Sequence, residues 1–173
     1  TVAFIIFFLI VFFAYWLLAG TGMIRLSMLL VASYYFYMSW NPVFITLIIV
    51  STLIDFFAGK AIHAANQEGR RHKARVYLVI SLVSTLGLLF FFKYFNLFAD
   101  SVRQLGGPQL SFLQLILPAG ISFYTFQTMS YSLDIYAGKL KPAHSFLDFA
   151  LFVSFFPQLV AGPIVRARAF LPQ

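Results

Sequence analysis

Residues 117–139 are apolar enough to lie in a membrane, yet they carry polar and small side chains on one face. These residues recur at spacings of three and four, so a helix places them in one stripe. The stripe contains Gly120, Tyr124, Gln127, Tyr131, Asp134 and Gly138. Because a carboxylate such as Asp134 is costly in hydrocarbon, we expect this face to point at protein or at a water-filled cavity.

The second stretch that could do chemistry, residues 145–166, ends in residues that interrupt a helix. Pro157, Gly162 and Pro163 follow an apolar segment, and Arg166 comes shortly after them. At membrane depth, such breaks are tolerated only where the backbone is buried in protein or lines a cavity. Both stretches therefore need a surrounding helical bundle that positions them.

The composition is that of a polytopic membrane protein. Hydrophobic residues make up 61% of the chain, 23 residues are Phe, and the mean hydropathy is +0.89. Charged residues make up 10%, whereas a soluble domain has about a quarter. The chain has no cysteine, which excludes disulfides, thiol nucleophiles and cysteine metal sites. We assign the net charge of +7 to cytoplasmic loops and expect a lipid bilayer, not nucleic acid, as the partner.

Five apolar runs are long enough to cross a bilayer. They cover residues 2–19, 23–40, 43–61, 76–98 and 118–137. The polar segment 66–75 carries most of the basic residues between them, so the positive-inside rule places it in the cytoplasm. In this register, segments 20–25 and 138–145 are also cytoplasmic, Asn41 lies outside, and residues 100–109 form an external loop. We expect residues 110–117 to lie in the interface.

The sixth segment is too interrupted to be a simple span. If residues 146–165 cross fully, Arg166 lies outside, and if they re-enter at Pro157 and Gly162, it stays inside or within protein. We favour re-entry, and we predict a helix over roughly 146–156 and a non-helical or kinked turn at 157–163. That turn should be buried against the polar face of 120–138. The predicted fold is thus an all-α bundle of about five full spans and a broken or re-entrant sixth segment.

Two sequence signatures carry a family resemblance. SFYTFQTMSYSLDIY (122–136) and FFPQLVAGPIVR (155–166) resemble, in that order, the paired signatures of membrane-bound O-acyltransferases. FFFKYFNLF (90–98) and PAGISF (118–123) fit the same pattern, and the resemblance covers the chain from about Leu88 onward. The similar branch is the membrane subunit of bacterial alginate or cellulose O-acetylation systems.

The resemblance implies a function and a setting. A donor such as acetyl-CoA would supply an acetyl group from the cytoplasm, and the acetyl would cross the bacterial inner membrane. An external acetyltransferase partner would then pass it to an exported polysaccharide. No bound cofactor is implied, since the acyl donor is a substrate.

No residue of the chain is assigned as catalytic. A general base would usually be a histidine, but His63, His72 and His144 lie beside charged or loop stretches and are expected to be solvated or interfacial. None has metal-ligand spacing. The resemblance places the essential histidine in a later membrane segment, so we interpret residues 1–173 as a single domain, the N-terminal part of a longer enzyme, inactive alone.

The candidate site residues instead line a passage for the acyl group. They are Gln127, Tyr131, Asp134, Gln158, Gly162, Pro163 and Arg166, with Arg166 facing an anionic group of the donor. The alternative for the helical residues is interhelical packing, worth roughly 1 kcal/mol per hydrogen bond, and for the others a structural turn. Asp55 is interpreted as a helix-end carboxylate, paired with Lys60 or the basic loop. A transporter or channel, or a non-catalytic subunit of an export complex, remains an alternative function.

Overall fold

The protein is all-α. The computed structural model describes residues 2–39, 42–104, 121–157 and 167, and within these it contains six helices and no strand. The helices are α1 (Val2–Leu17), α2 (Gly22–Met38), α3 (Pro42–Gln67), α4 (Arg71–Gln104), α5 (Ile121–Tyr136) and α6 (Phe146–Ser154). Each apolar run of the sequence corresponds to one of the first five helices.

Glycines end the helices that lead into the tight turns. Gly20, between α1 and α2, has φ +100°, and Gly69, between α3 and α4, has φ +70°. Both values lie in the left-handed region, which glycine adopts without the steric cost of a Cβ. At the second turn, the Arg70 N–H donates to the Ala65 carbonyl at 2.9 Å, which closes the end of α3. The short turn makes α3 and α4 antiparallel neighbours.

Two predicted loops are largely helical, so their predicted extents were wrong. The polar segment 66–75 contributes only Glu68, Gly69 and Arg70 to the connection, and the other basic residues lie on the first turns of α4. Likewise, α4 continues to Gln104, well into the predicted external loop. Lysine, arginine and glutamine are good helix formers. The loss of hydrophobicity marks where a chain leaves the membrane, and the helix need not end there.

The centre of the bundle is formed by α3, α4 and α5, which pack against one another. On the other side, α6 packs against α2 and α3, and α1 contacts α2 at the periphery. The largest fully buried apolar and aromatic side chains of the described residues include Ile48, Ile62, Tyr124, Tyr131, Phe149 and Phe152. By contrast, α1 buries only Val11. It therefore presents most of its apolar surface outward.

The short sixth helix behaves as the sequence predicts. Ser145 caps it, because its hydroxyl accepts from the Asp148 N–H at 3.1 Å and donates to the Asp148 carboxylate at 2.7 Å. The helix ends at Ser154, and Phe155 has ψ 105°, outside the helical range. The Phe156 N–H is then within 3.4 Å of the Ser33 hydroxyl of α2. The backbone N–H that is left free by the end of α6 is thus hydrogen-bonded within the protein.

The prediction of a helix broken before residue 157 is confirmed, with the break two residues earlier than expected. The nine residues of α6 span about 14 Å. The buried turn was predicted at 157–163. Phe156 and Pro157 are helical, so the prediction was wrong for Pro157, and residues 158–163 lie outside the described residues, as do residues 105–120.

Two helical stretches among the described residues are long and apolar enough to cross a bilayer, Ile45–Gln67 and Arg71–Phe95, and Val2–Leu17 is a shorter apolar helix. The C-terminal ends of α3 and α5 lie together, because the Asn66 amide donates to the carbonyls of Ile135 and Tyr136 at 3.3 and 3.2 Å. This contact puts the 68–70 turn and the segment after α5 at the same end of the bundle, as the predicted register requires.

Candidate functional site

A buried polar cluster lies between α3, α4 and α5. Asp55 of α3 is 1% exposed, and the Ser81 hydroxyl of α4 donates to its Oδ1 at 2.6 Å. The Ser132 hydroxyl of α5 lies 2.9 Å from that of Ser81, and donates to it because the Ser81 proton is engaged by Asp55. Thr85 donates to the Ser81 carbonyl at 2.5 Å and lies 3.4 Å from Asp55 Oδ1. We call Asp55, Ser81, Thr85 and Ser132 the polar centre.

The polar centre is incomplete on one side. Asp55 Oδ2 is buried and makes no hydrogen bond of good geometry with the described residues, although the Thr128 hydroxyl of α5 also interacts with the carboxylate. A second carboxylate oxygen left without a donor is unusual in a protein interior, where buried polar atoms are nearly always paired. The carboxylate therefore retains the capacity to accept a hydrogen bond or to receive a proton.

The depth of the polar centre follows from its position along the helices. The apolar run of α4 begins at Val76, and Ser81 lies five residues beyond it, about 8 Å along the helix axis. The hydrocarbon core of a bilayer is about 30 Å thick. If α4 crosses a membrane from the 68–70 turn, the polar centre lies inside the hydrocarbon core, about a quarter of the way through it, where a carboxylate is costly.

Gly59 and Tyr131 fix the position of α5 against α3. A Cβ atom at Gly59 would lie 2.6 Å from Tyr131 Cε1, so only glycine lets the two helices come this close. The Tyr131 ring also stacks on Phe149 at a centroid distance of 4.3 Å, and its hydroxyl accepts from the Ala143 N–H at 3.1 Å. Tyr131, a predicted passage residue, is thus held on three sides by protein.

Among the predicted site residues that the structure describes, Gln127 has the most side-chain donors and acceptors without a hydrogen-bond partner. It is fully buried, and neither Nε2 nor Oε1 has a partner among the described residues. Asp134 lies near the C-terminal end of α5 and is partly buried, with Oδ2 inaccessible and likewise unpartnered in the described part of the chain. The prediction that the polar face points into protein is confirmed for Gln127 and Tyr131, while their role in a passage stays a prediction.

The other predicted passage residues cannot be placed. Gln158, Gly162, Pro163 and Arg166 lie outside the described residues. The three histidines have no site around them: His72 and His144 are exposed, and the His63 ring is 3.0 Å from the Gln67 amide near the end of α3. Within the described ranges, no group of three or more His, Asp or Glu side chains could hold a metal ion.

The interpretation of Asp55 as a helix-end carboxylate was wrong. It lies near the middle of α3, which continues to Gln67, six residues past the predicted end of the span. The Lys60 ammonium instead lies over the Phe56 ring, 4.3 Å from its centroid. The spacing of polar residues in the sequence does indicate the polar centre. Ser51, Thr52 and Asp55 share one side of α3, and Ser81 and Thr85 are one turn apart in α4.

Comparisons with known proteins identify the relatives of this chain. A probable alginate O-acetylase of Pseudomonas aeruginosa is 37% identical over 174 residues, which cover 98% of this chain. A probable alginate O-acetylase of Azotobacter vinelandii is 37% identical over 86% of the chain. This chain is homologous to about one third of an alginate O-acetylase. The resemblance to the bacterial polysaccharide branch of the membrane-bound O-acyltransferases is thereby confirmed.

The O-acetylase homology extends beyond proteins named for alginate. A peptidoglycan O-acetyltransferase of Helicobacter pylori is 34% identical over 84% of the chain. The chain spans 33% of the length of the P. aeruginosa O-acetylase and 32% of that of the H. pylori enzyme. The match to the P. aeruginosa protein covers 98% of this chain, a range that takes in the helices carrying the polar centre and Gln127. No family model matches the chain, and no solved structure matches it.

Proposed function

We propose that the protein containing this chain is an O-acyltransferase that moves acetyl groups through the bacterial inner membrane toward an exported polysaccharide. The donor would be a cytoplasmic thioester such as acetyl-CoA, and the acceptor would be reached through an external acetyltransferase partner. The observation that carries the proposal is the homology to named O-acetylases over 98% of the chain. Relatives named for alginate and for peptidoglycan both match, so the polysaccharide itself is not part of the proposal.

In the proposed membrane arrangement, α1 to α5 are full spans and the segment beginning with α6 re-enters. The apolar surfaces of α1 and α4 support this arrangement, as do the many exposed large hydrophobic side chains. The basic residues at the start of α4 favour the 68–70 turn on the cytoplasmic side. In this orientation α6 enters from the cytoplasm and ends about 14 Å into the protein.

The buried polar groups are the physical reason for linking this chain to acyl transfer. The carbonyl of a transferred acyl group loses its hydrogen bonds to water inside a helix bundle, and a buried polar side chain can replace them. Gln127 offers both a donor and an acceptor with no partner among the described residues. In the proposal, its amide lies beside the acyl path, and the carboxyl group of the polar centre, next to the neighbouring part of α5, also serves the transfer.

The proposal is tested by acetyl transfer in inside-out membrane vesicles that contain the whole protein and its external partner. Radiolabelled acetyl-CoA is added to the cytoplasmic face, and label is measured in polysaccharide within the lumen. Vesicles with the protein should incorporate label at least tenfold faster than vesicles without it. Label that never reaches the lumen, despite folded protein and supplied acceptor, would argue for the transporter or subunit alternatives.

Gln127→Leu sharpens the test, with Phe126→Leu as its matched control. Leucine is apolar and similar in size to glutamine. If the Gln127 amide makes no hydrogen bond, its replacement by leucine should raise the free energy of unfolding by about 1–3 kcal/mol. Phe126 is the preceding residue and is 48% exposed, so it faces away from the core. We expect Gln127→Leu to reduce specific activity at least tenfold and Phe126→Leu to leave it near the wild-type value. Equal activities in the two variants would remove Gln127 from the proposed path.

A further inference from the structure

A cleft on the bundle surface, far from the polar centre along the chain, combines an apolar lining with one cation. It lies between α1, α2 and the chain just after α6, and has a volume of about 540 Å³. Its lining includes Val11, Leu29, Leu151 and Phe155, and at one end Arg25. This volume is within the roughly 300–1,000 Å³ range of small-molecule sites. We call it the Arg25 cleft.

Arg25 has no counter-ion in this part of the protein. Its guanidinium lies over the Tyr15 ring at 4.6 Å, and its buried Nε has no hydrogen-bond partner among the described residues. Residues 1–54 and 149–173 contain no acidic side chain at all. On the elements that line the cleft, the one carboxylate is Asp148 in the first turn of α6, which accepts from Ser145 and makes no ion pair with Arg25 in the described structure.

The apolar part of the cleft opens toward the surface. Among its lining residues, Phe8, Phe12 and Trp16 of α1 are 39%, 45% and 62% exposed. Arg25 is in the first turn of α2 and Trp16 in the last turn of α1, so the charged end of the cleft is beside the turn that joins these helices. A tryptophan, a tyrosine and an arginine together at a helix end are typical of the membrane interface.

We propose that the Arg25 cleft binds one anionic phospholipid. The phosphate accepts charge-assisted hydrogen bonds from the Arg25 guanidinium, whose planar donor fork suits phosphate. One acyl chain lies between α1 and the end of α6, covering the apolar walls. The proposed orientation puts this turn at the cytoplasmic leaflet, whose anionic lipids attract basic residues. The inference does not depend on acetyl transfer.

The charge and the apolar walls of the Arg25 cleft favour an anionic phospholipid over three other occupants. A segment of the protein itself could cover apolar walls, but residues 158–173 bring two further arginines and no carboxylate to Arg25. A zwitterionic lipid carries its own cation beside the phosphate and gains less from Arg25. Free phosphate would satisfy the arginine and leave the apolar walls uncovered.

The experiment measures the melting temperature of the purified whole protein in a neutral detergent during lipid titration. The probes are dioleoylphosphatidylglycerol, dioleoylphosphatidylcholine and inorganic phosphate. A ligand that binds only the folded state raises the melting temperature in a concentration-dependent way. We expect phosphatidylglycerol to act at a concentration at least tenfold lower than phosphatidylcholine, and inorganic phosphate to have no effect. Equal action of the two lipids, or of phosphate alone, would overturn the proposal.

Two variants and one control complete the design. Arg25→Gln should weaken the phosphatidylglycerol response at least tenfold, whereas Arg75→Gln, which removes one exposed positive charge from α4, should not change it. Leu29→Phe narrows the apolar part while keeping Arg25, and should also weaken the response. If Arg25→Gln does not fold, Leu29→Phe decides: an unchanged response there means that no acyl chain occupies the cleft.

Discussion

The close approach of α3 and α5 at Gly59 leads to a specific stability prediction. In Gly59→Ala, the new Cβ would lie 2.6 Å from Tyr131 Cε1, 2.9 Å from Tyr131 Oη and 3.0 Å from Ile135 Cδ1. Ordinary carbon contacts are about 3.5–4.0 Å. Tyr131 cannot easily retreat, because Phe149 and the Ala143 N–H hold its ring and hydroxyl. The helices must therefore move apart or the ring must leave its position.

The expected magnitude is the difference of two opposing effects. Overpacking a well-packed interior typically costs about 1–3 kcal/mol. Alanine is favoured over glycine in a helix by up to about 1 kcal/mol, which offsets part of that cost. We therefore expect Gly59→Ala to lower the free energy of unfolding by about 1–2 kcal/mol. Gly87→Ala is the matched control, since its Cβ would meet no atom within 4 Å, and it should be neutral or slightly stabilising.

The assay is chemical unfolding of the detergent-solubilised protein, followed by the loss of helical circular dichroism. A double-mutant cycle with Tyr131→Leu isolates the contact, because the smaller side chain leaves room for the alanine. In that background, Gly59→Ala should lose most of its destabilising effect. If Gly59→Ala is as stable as Gly87→Ala in the wild-type background, the close helix approach does not exist and the reasoning fails.

Three further predictions concern helix ends and orientation. Ser145→Ala should lower stability by about 1 kcal/mol in the same unfolding assay, because it removes the cap that Ser145 shares with Asp148. Asn66→Ala should cost about 1 kcal/mol because it removes the side-chain donor to the Tyr136 carbonyl and one of the two donors to the Ile135 carbonyl, whereas Gln67→Ala, at an exposed position, should cost less. A single cysteine at Arg71, in a chain without cysteines, should react with an impermeant maleimide only from the cytoplasmic side; labelling from outside would reverse the proposed orientation.

The sequence predicts the helices well because hydrophobic runs and breakers are local signals. The first five helices follow the apolar runs, and the sixth ends ahead of Pro157 because a proline ring cannot be accommodated in a continuing helix. Helix ends are predicted less well. Residues 71–75 and 100–104 are mostly polar. Polar composition indicates that a segment lies outside the membrane, but it does not indicate whether that segment is a helix or a loop.

The candidate site is predicted only in part. The stripe on α5 indicates that Gln127 and Tyr131 are buried, and both are. The polar centre depends on α3, α4 and α5 meeting at one depth, and no local pattern in the sequence encodes that meeting. Sequence distance favours Lys60 or the basic loop as the partner of Asp55, but its hydrogen-bond partner Ser81 is 26 residues away.

The polar centre allows a test that separates function from packing. Asp55→Asn keeps an oxygen that can accept from Ser81, but it removes a carboxyl group buried within the proposed span, with one oxygen unpartnered in the described structure. A group retained only for helix packing should be replaceable in this way at no cost, and removing a poorly compensated buried carboxyl group can stabilise the fold. Replacing a group that is retained for function should instead abolish activity while the stability of the protein is kept or raised.

We expect the second pattern, because ionisable side chains at membrane depth generally serve function. The melting temperature of Asp55→Asn should equal or exceed that of the wild type, while acetyl transfer per folded protein should fall at least tenfold. Thr52→Val is the matched control, since Thr52 is buried one turn earlier on α3 and its hydroxyl bonds only to the Ile48 carbonyl of its own helix. That variant should retain both properties. Full activity in Asp55→Asn would mean that the carboxyl group serves only as a hydrogen-bond acceptor that joins α3 to α4.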